Sequence, residues 1–327
     1  MEYKIEDLEI EYIFDDIESC EQVGMFEDEY VYDIEVDDDT HTFIANDILV
    51  HNSIYITLQD VVKSCNWVGD PVELIKDITK FRLKEFYNKG FENYAKRSNT
   101  ENLQEFQLET ISHSALLLAK KKYVLDIAWT DNGISYEPQS KLKPKGIEIV
   151  QSSTPVFARK YLNELLKDLF KYKKELNLSL FVKKIKELKK IFEIEEIETI
   201  SFGSGIGDYE KGIGNDISKL EINSHCPIHV RGAGFHNYLI NNNPKAKRKY
   251  TLIKSGDKVK YYYSKIEQNG GMNIFAFNPG SFPYEIAPKV DIDIQFSKCI
   301  IDPINRFLDA MKFPKISEGL IVSKQLF

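Results

Sequence analysis

The chain has 327 residues, 43% of them hydrophobic, enough for two or three small domains with their own cores and too apolar for general disorder. No run of eighteen apolar residues is present and the acidic N-terminus lacks a signal-peptide layout, so a cytoplasmic protein is expected, in the host cell cytoplasm if the chain is viral. The net charge of −8 is unevenly spread: residues 1–52 carry 18 acids against Lys4 alone, net −17, and residues 53–327 carry 42 bases against 33 acids, net +9. A mildly basic second part is compatible with nucleic-acid binding, which the whole-chain balance conceals. Cys20, Cys65, Cys226 and Cys299 have no metal-like spacing and read as reduced thiols.

Residues 1–52 read as all-β, with "YVYDIEV" and "HTFIANDILV" as short strands around the acidic turn Asp37-Asp38-Asp39-Thr40. Residues 53–58 continue as a strand. The segment from Pro71 to Arg97 has helical spacing, with Leu74, Ile78, Phe81 and Phe86 along one stripe. "LETIS" and "ALLLAKKKYVLDIAWTDNGIS" are strand-like, with Asp131-Asn132-Gly133 as turn residues. "SSTP" predicts a helix start, with Ser or Thr as cap and Pro in the first turn, leading into a helical region over 156–192 that carries many lysines. Beyond it lie the Gly-rich "FGSGIGDYEKGIGND", a helix near Gly232–Asn242, the basic loop "NNNPKAKRKY", the turn cluster "FNPGSFP" and a last helix, "INRFLDAM".

The chemistry gathers at the charge boundary, His51-Asn52-Ser53. The amide of an Asn can attack its own backbone carbonyl and cut the chain after itself. A neighbouring imidazole can polarise that carbonyl or move the proton, and a Ser beyond the cut can act as nucleophile. The surrounding "VYDIEVDDDTHTFIANDILVHN", 22 residues, resembles the C-terminal splicing blocks of an intein. The resemblance implies that Asp33 and His41 are the block aspartate and histidine, His51 the penultimate histidine, Asn52 the cyclising residue and Ser53 the first extein residue. Asp47 stands where the family more often has Gly. Because Asn52 is reached so early, the expectation is the C-terminal fragment of a split intein, whose partner chain carries the N-terminal fragment.

The cargo from Ser53 onward has its own resemblance. "SIYITL" resembles the strand following the Asp-Thr-Asp motif of family B DNA polymerases, and "LLLAKKKYVLDI" resembles that family's Lys-x-Tyr motif. "KGIEIVQSSTP" and "CPIHVRGAGFHNYLI" resemble the palm–thumb junction and a thumb segment of the tailed-phage branch. The resemblance implies DNA contacts by Lys120, Lys121, Lys122 and Tyr123, and by His229 and Arg231. Lys is a natural phosphate partner and Tyr supports sugar or backbone. "SKQLF" resembles a sliding-clamp peptide anchored by Leu326 and Phe327, and reads equally as a frayed tail.

The expected architecture is multidomain. Residues 1–52 form a small all-β, Hint-type fragment, 53–150 the α+β end of the palm, and 151–327 a mainly α thumb with its tail. The expected partners are an N-terminal polymerase chain, primer–template DNA, dNTPs and a clamp, with no membrane. Mg²⁺ is expected only for the assembled polymerase, held mainly by the partner's aspartates. No metal site is expected in this chain, since His225, Cys226 and His229 make a poor tetrahedral set. The Gly-rich loop lacks a Lys-Ser/Thr ending and reads as a mobile thumb loop. Two other readings stay open: an inactive or cleavage-only splicing relic on a DNA-binding fragment, and a self-cleaving module on an unrelated cargo.

Overall fold

The computed structural model describes residues 31–35, 42–45, 48–51, 57–102, 107–119, 121–131, 141–207, 209–213, 225–265, 273–317 and 319; for residues 31–51, Lys174 and Lys211 only the backbone is described. The chain divides into two compact units, Met1–Lys145 and Gly146–Phe327. Both mix helices with small antiparallel sheets.

The first unit contains strands β1 (Val31–Glu35), β2 (Thr42–Ala45) and β3 (Ile48–His51), then helices α1 (Gln59–Ser64), α2 (Pro71–Ile78) and α3 (Lys84–Arg97). α2 starts where the sequence places a cap: Asp70 accepts a hydrogen bond from the Val72 amide at 2.9 Å, and Pro71 fills the first turn. A π turn, Thr79–Leu83, joins α2 to α3 without a break. Its wider turn shifts the phase of the apolar stripe. Leu74, Ile75 and Ile78 stay in the core with Leu58, Ile111 and Ala128, while Phe81 and Phe86 face outward. The expected helix from Pro71 to Arg97 is present, and its stripe residues Phe81 and Phe86 leave the core beyond Ile78.

Strands β4 (Gln107–Ala119), β5 (Lys122–Thr130) and β6 (Leu142–Lys145) complete the unit. The four-stranded sheet runs β1-β4-β5-β6, all antiparallel, and β2 and β3 form a separate hairpin. The reversal between β4 and β5 falls at Lys120-Lys121, inside the second strand-like sequence, and Asn132 and Gly133 lie outside the described residues. β5 is buried over most of its length, and Ala115, Tyr123, Leu125 and Ile127 make a second core cluster.

In the second unit the helical region is two helices, α4 (Val156–Tyr172) and α5 (Leu178–Glu193), broken at Lys173 in the left-handed region, φ +43°. α4 begins one residue later than the sequence motif implies. Pro155 occupies the cap position and no side chain caps there. Asn177 caps α5 by accepting from the Leu180 amide at 3.1 Å. Helix α6 (Ile197–Ile200), strand β7 (Phe202–Gly205) and helices α7 (Tyr209–Gly212), α8 (Ile228–Asn241) and α9 (Pro244–Lys249) follow. Strands β8 (Lys258–Tyr263) and β9 (Ile274–Phe277) then complete an antiparallel sheet in the order β7-β8-β9. Helices α10 (Ile292–Phe296) and α11 (Asp302–Ala310) close the unit, joined by a second π turn. Phe192 joins the helices, 5.0 Å from Phe157 and 5.2 Å from Phe296 between ring centres.

"NNNPKAKRKY" is a short helix rather than a loop. The Asn243 side chain accepts from the amides of Lys245 and Ala246, and Pro244 sits in the first turn. Two glycines let helix α8 approach its neighbours closely, Gly232 against strand β9 and Gly234 against Ile213. A methyl group on Gly232 would come within 3.0 Å of the Ala276 nitrogen, and one on Gly234 within 2.6 Å of Ile213 Cδ1.

Candidate nucleic-acid interface and splice block

The segment that resembles intein blocks is described only in part. Asp33 lies in β1 at the register position opposite Thr110 of β4. His51 is the last residue of β3, opposite Thr42 at the start of β2. Asp33 and His51 therefore stand in different sheets. His41, Asn52 and Ser53 lie outside the described residues.

The lysine-rich motif forms the tip of the β4–β5 hairpin. Ala119 pairs with Lys122, which leaves Lys120 and Lys121 as a two-residue turn. Lys120 lies outside the described residues. Lys121 has φ +63°, the left-handed conformation that tight hairpin turns demand and that non-Gly residues rarely adopt. Lys121 and Lys122 are exposed, whereas Tyr123 is buried among Ala115, Leu125 and Ile127, with Leu117 beside them. Strand alternation puts Lys122 and Tyr123 on opposite faces. Lys145 is directly opposite Tyr123 across the β5–β6 ladder, and Lys143 is opposite Leu125. Lys143 forms an ion pair with Glu109. The second lysine pair was hidden in "KLKPK", whose period of two is a strand signal the Pro interrupts.

These residues make a rigid, electropositive edge. Lys121 and Lys122 project charge at the end of a hairpin anchored by a buried aromatic. Lysines at such an edge neutralise phosphates without reading sequence.

In the second unit, His229 and Arg231 lie in the first turn of α8, both half-buried. The His229 ring centre is 6.2 Å from that of Tyr261, which stacks on Phe202 at 5.5 Å. Burial pushes the His229 imidazole below its ordinary value and the Tyr261 phenol up to about 12. Burial thus favours the neutral form of the His229 ring beside Tyr261. Arg231 Nε is buried with no hydrogen-bond partner among the described residues.

Asn237, within the same thumb-like segment, is structural. Its amide donates to the Ile253 carbonyl at 2.8 Å and accepts from the Ile253 amide at 2.8 Å, and it also donates to the Tyr209 hydroxyl. His236 is fully buried, bonds the Thr251 carbonyl through Nε2 at 3.2 Å, and is pushed down to about 4 by desolvation. Burial pushes the Cys226 and Cys299 thiols up. The clamp-like residues Leu326 and Phe327 lie outside the described residues. No group of three His, Cys, Asp or Glu able to hold a metal ion is found among the described residues, and none of their helices is long and apolar enough to cross a membrane.

No family model matches the chain. The chain is 29% identical over 144 residues to a DNA polymerase of Thermococcus litoralis, across 43% of this chain. It spans 7% of that relative's length. The similarity supports a relationship to part of a DNA polymerase.

Proposed function

We propose that this chain supplies the C-terminal part of a family B DNA polymerase of the tailed-phage type, delivered as a protein-splicing precursor. The observation that carries the polymerase reading is the hairpin tip at Lys121–Tyr123. It is a lysine-bearing turn held rigidly by a buried Tyr, in a chain with similarity to a DNA polymerase. The tip lysines hold the phosphates of primer–template DNA. Arg231, with an unspent donor, and the neutral ring of His229 serve the second unit's DNA contact. Leu326 and Phe327 dock a sliding clamp.

The splicing reading rests on the resemblance of residues 31–53 to intein C-terminal blocks. The N-terminal splicing half is read as part of a separate partner chain. Its activated acyl group passes to the Ser53 hydroxyl, and Asn52 then cyclises, with its side-chain nitrogen attacking its own carbonyl and the bond to Ser53 breaking. The ester at Ser53 rearranges to an amide. His41 takes the Ser53 proton, His51 polarises the Asn52 carbonyl, and Asp33 tunes these groups. The Mg²⁺ ions and dNTP chemistry of the joined polymerase depend on carboxylates supplied by the partner.

The test is primer extension. The purified chain with Mg²⁺, dNTPs and primed template is expected to bind DNA and incorporate no nucleotide, and the joined product is expected to extend the primer. Extension by this chain alone would overturn the division of labour, and absence of duplex affinity would favour a splicing module on an unrelated cargo.

A further inference from the structure

The removable and permanent parts of the chain share one sheet. β1 belongs to the splice block and β4 to the cargo, yet β1 pairs with Gln107–Ser112 along the outer edge of β4. β5 already occupies the other side of β4. When residues 1–52 leave, the backbone donors and acceptors of this stretch lose their partners.

The stretch "QLETIS" is poorly equipped to face water as an edge. It has no Pro and no Lys, and its one charge, Glu109, is taken up by Lys143 within the sheet. Thr110, Ile111 and Ser112 are fully buried. The fit of β1 is also incomplete. A register shift interrupts the pairing between Asp33 and Ile34. Ser112, opposite Val31, has a fully buried hydroxyl with no hydrogen-bond partner among the described residues. Leu58, five residues after Ser53, packs in the same cluster as Ile111. The first described residues of the cargo are therefore anchored beside this edge.

We propose that β1 is a placeholder strand: it covers the β4 edge in the precursor, and excision passes that edge to a strand of the upstream polymerase chain by β-augmentation. The proposal rests on the splicing reading.

The test is hydrogen exchange on the full chain, wild type against Ile34→Pro, because a proline in β1 removes a backbone donor and fixes φ. Exchange over 107–112 is expected to rise about tenfold or more in the variant, with 123–127 of β5 unchanged as the control for folding. Unchanged protection over 107–112 would overturn the placeholder. The same peptide is then followed in the spliced product, where it is expected to stay protected. Exposure there, or a concentration-dependent dimer of the Ile34→Pro chain in place of binding to the upstream chain, would overturn the handover. If no spliced product forms, the proposed function and the handover fail together, and the precursor comparison still decides whether β1 covers the edge.

Discussion

Lys121 carries both strain and charge. Its left-handed backbone costs about 1–2 kcal/mol for an ordinary residue. Lys121→Gly is expected to stabilise the chain by about 1 kcal/mol while weakening duplex DNA binding. Lys121→Ala with Lys122→Ala is expected to flatten the dependence of log affinity on log salt by about 0.9 for each phosphate no longer neutralised. Titration of DNA at several salt concentrations checks both, and an unchanged slope would remove these lysines from the interface. The charge of this motif is plain in the sequence, but its turn is not, since Lys-Lys carries no turn signal of the Asn-Gly kind. Burial decides the role of His236. Its pKa is depressed to about 4 from an ordinary 6.5. The unfolded chain therefore takes up a proton first as pH falls, and stability is full above pH 6.5 and declines toward pH 4. The full effect is about 3 kcal/mol, measurable by denaturant unfolding across that range. Replacing His236 with Gln is expected to remove this slope.

Among the elements, helix α8 shows what a sequence pattern can conceal. "RGAGF" has two glycines where a helix former would be expected, and the reason is close packing, of Gly232 against strand β9 and of Gly234 against Ile213. Gly232→Ala forces a shift against the Ala276 backbone and is expected to destabilise by about 1–3 kcal/mol. Gly205→Ala, which meets open space, is expected to change stability by less than about 0.5 kcal/mol. Comparison of the two by thermal unfolding separates close packing from loss of a glycine as such. The start of α2 was legible, because Asp-Pro is a local cap signal. The outward turn of Phe81 and Phe86 was not, because a π turn changes the helical phase and no short motif announces it. The β4–β5 pairing was hidden for a related reason. A strand of thirteen residues carries polar positions in its middle, Ser112 and Ser114, that read locally as a boundary.

Across the whole molecule, the charge reversal at residues 52 and 53 coincides with His51-Asn52-Ser53, a coincidence visible in the sequence alone. The pairing of β1 with β4 was not visible there, because strand partners far apart in the chain leave no local mark. It links the fate of the acidic segment to the sheet that carries the lysine tip. Splicing requires that residues 1–52 depart and that Ser53 acquire a new N-terminal neighbour. A mass-spectrometric search for junction peptides, in cells making this chain and its upstream partner, reads both at once. The expected peptide runs from the partner's sequence directly into Ser53-Ile54-Tyr55, with residues 1–52 absent. A chain that keeps His51-Asn52-Ser53 intact in the partner's presence, or one that begins at Ser53 with nothing attached, would contradict trans-splicing.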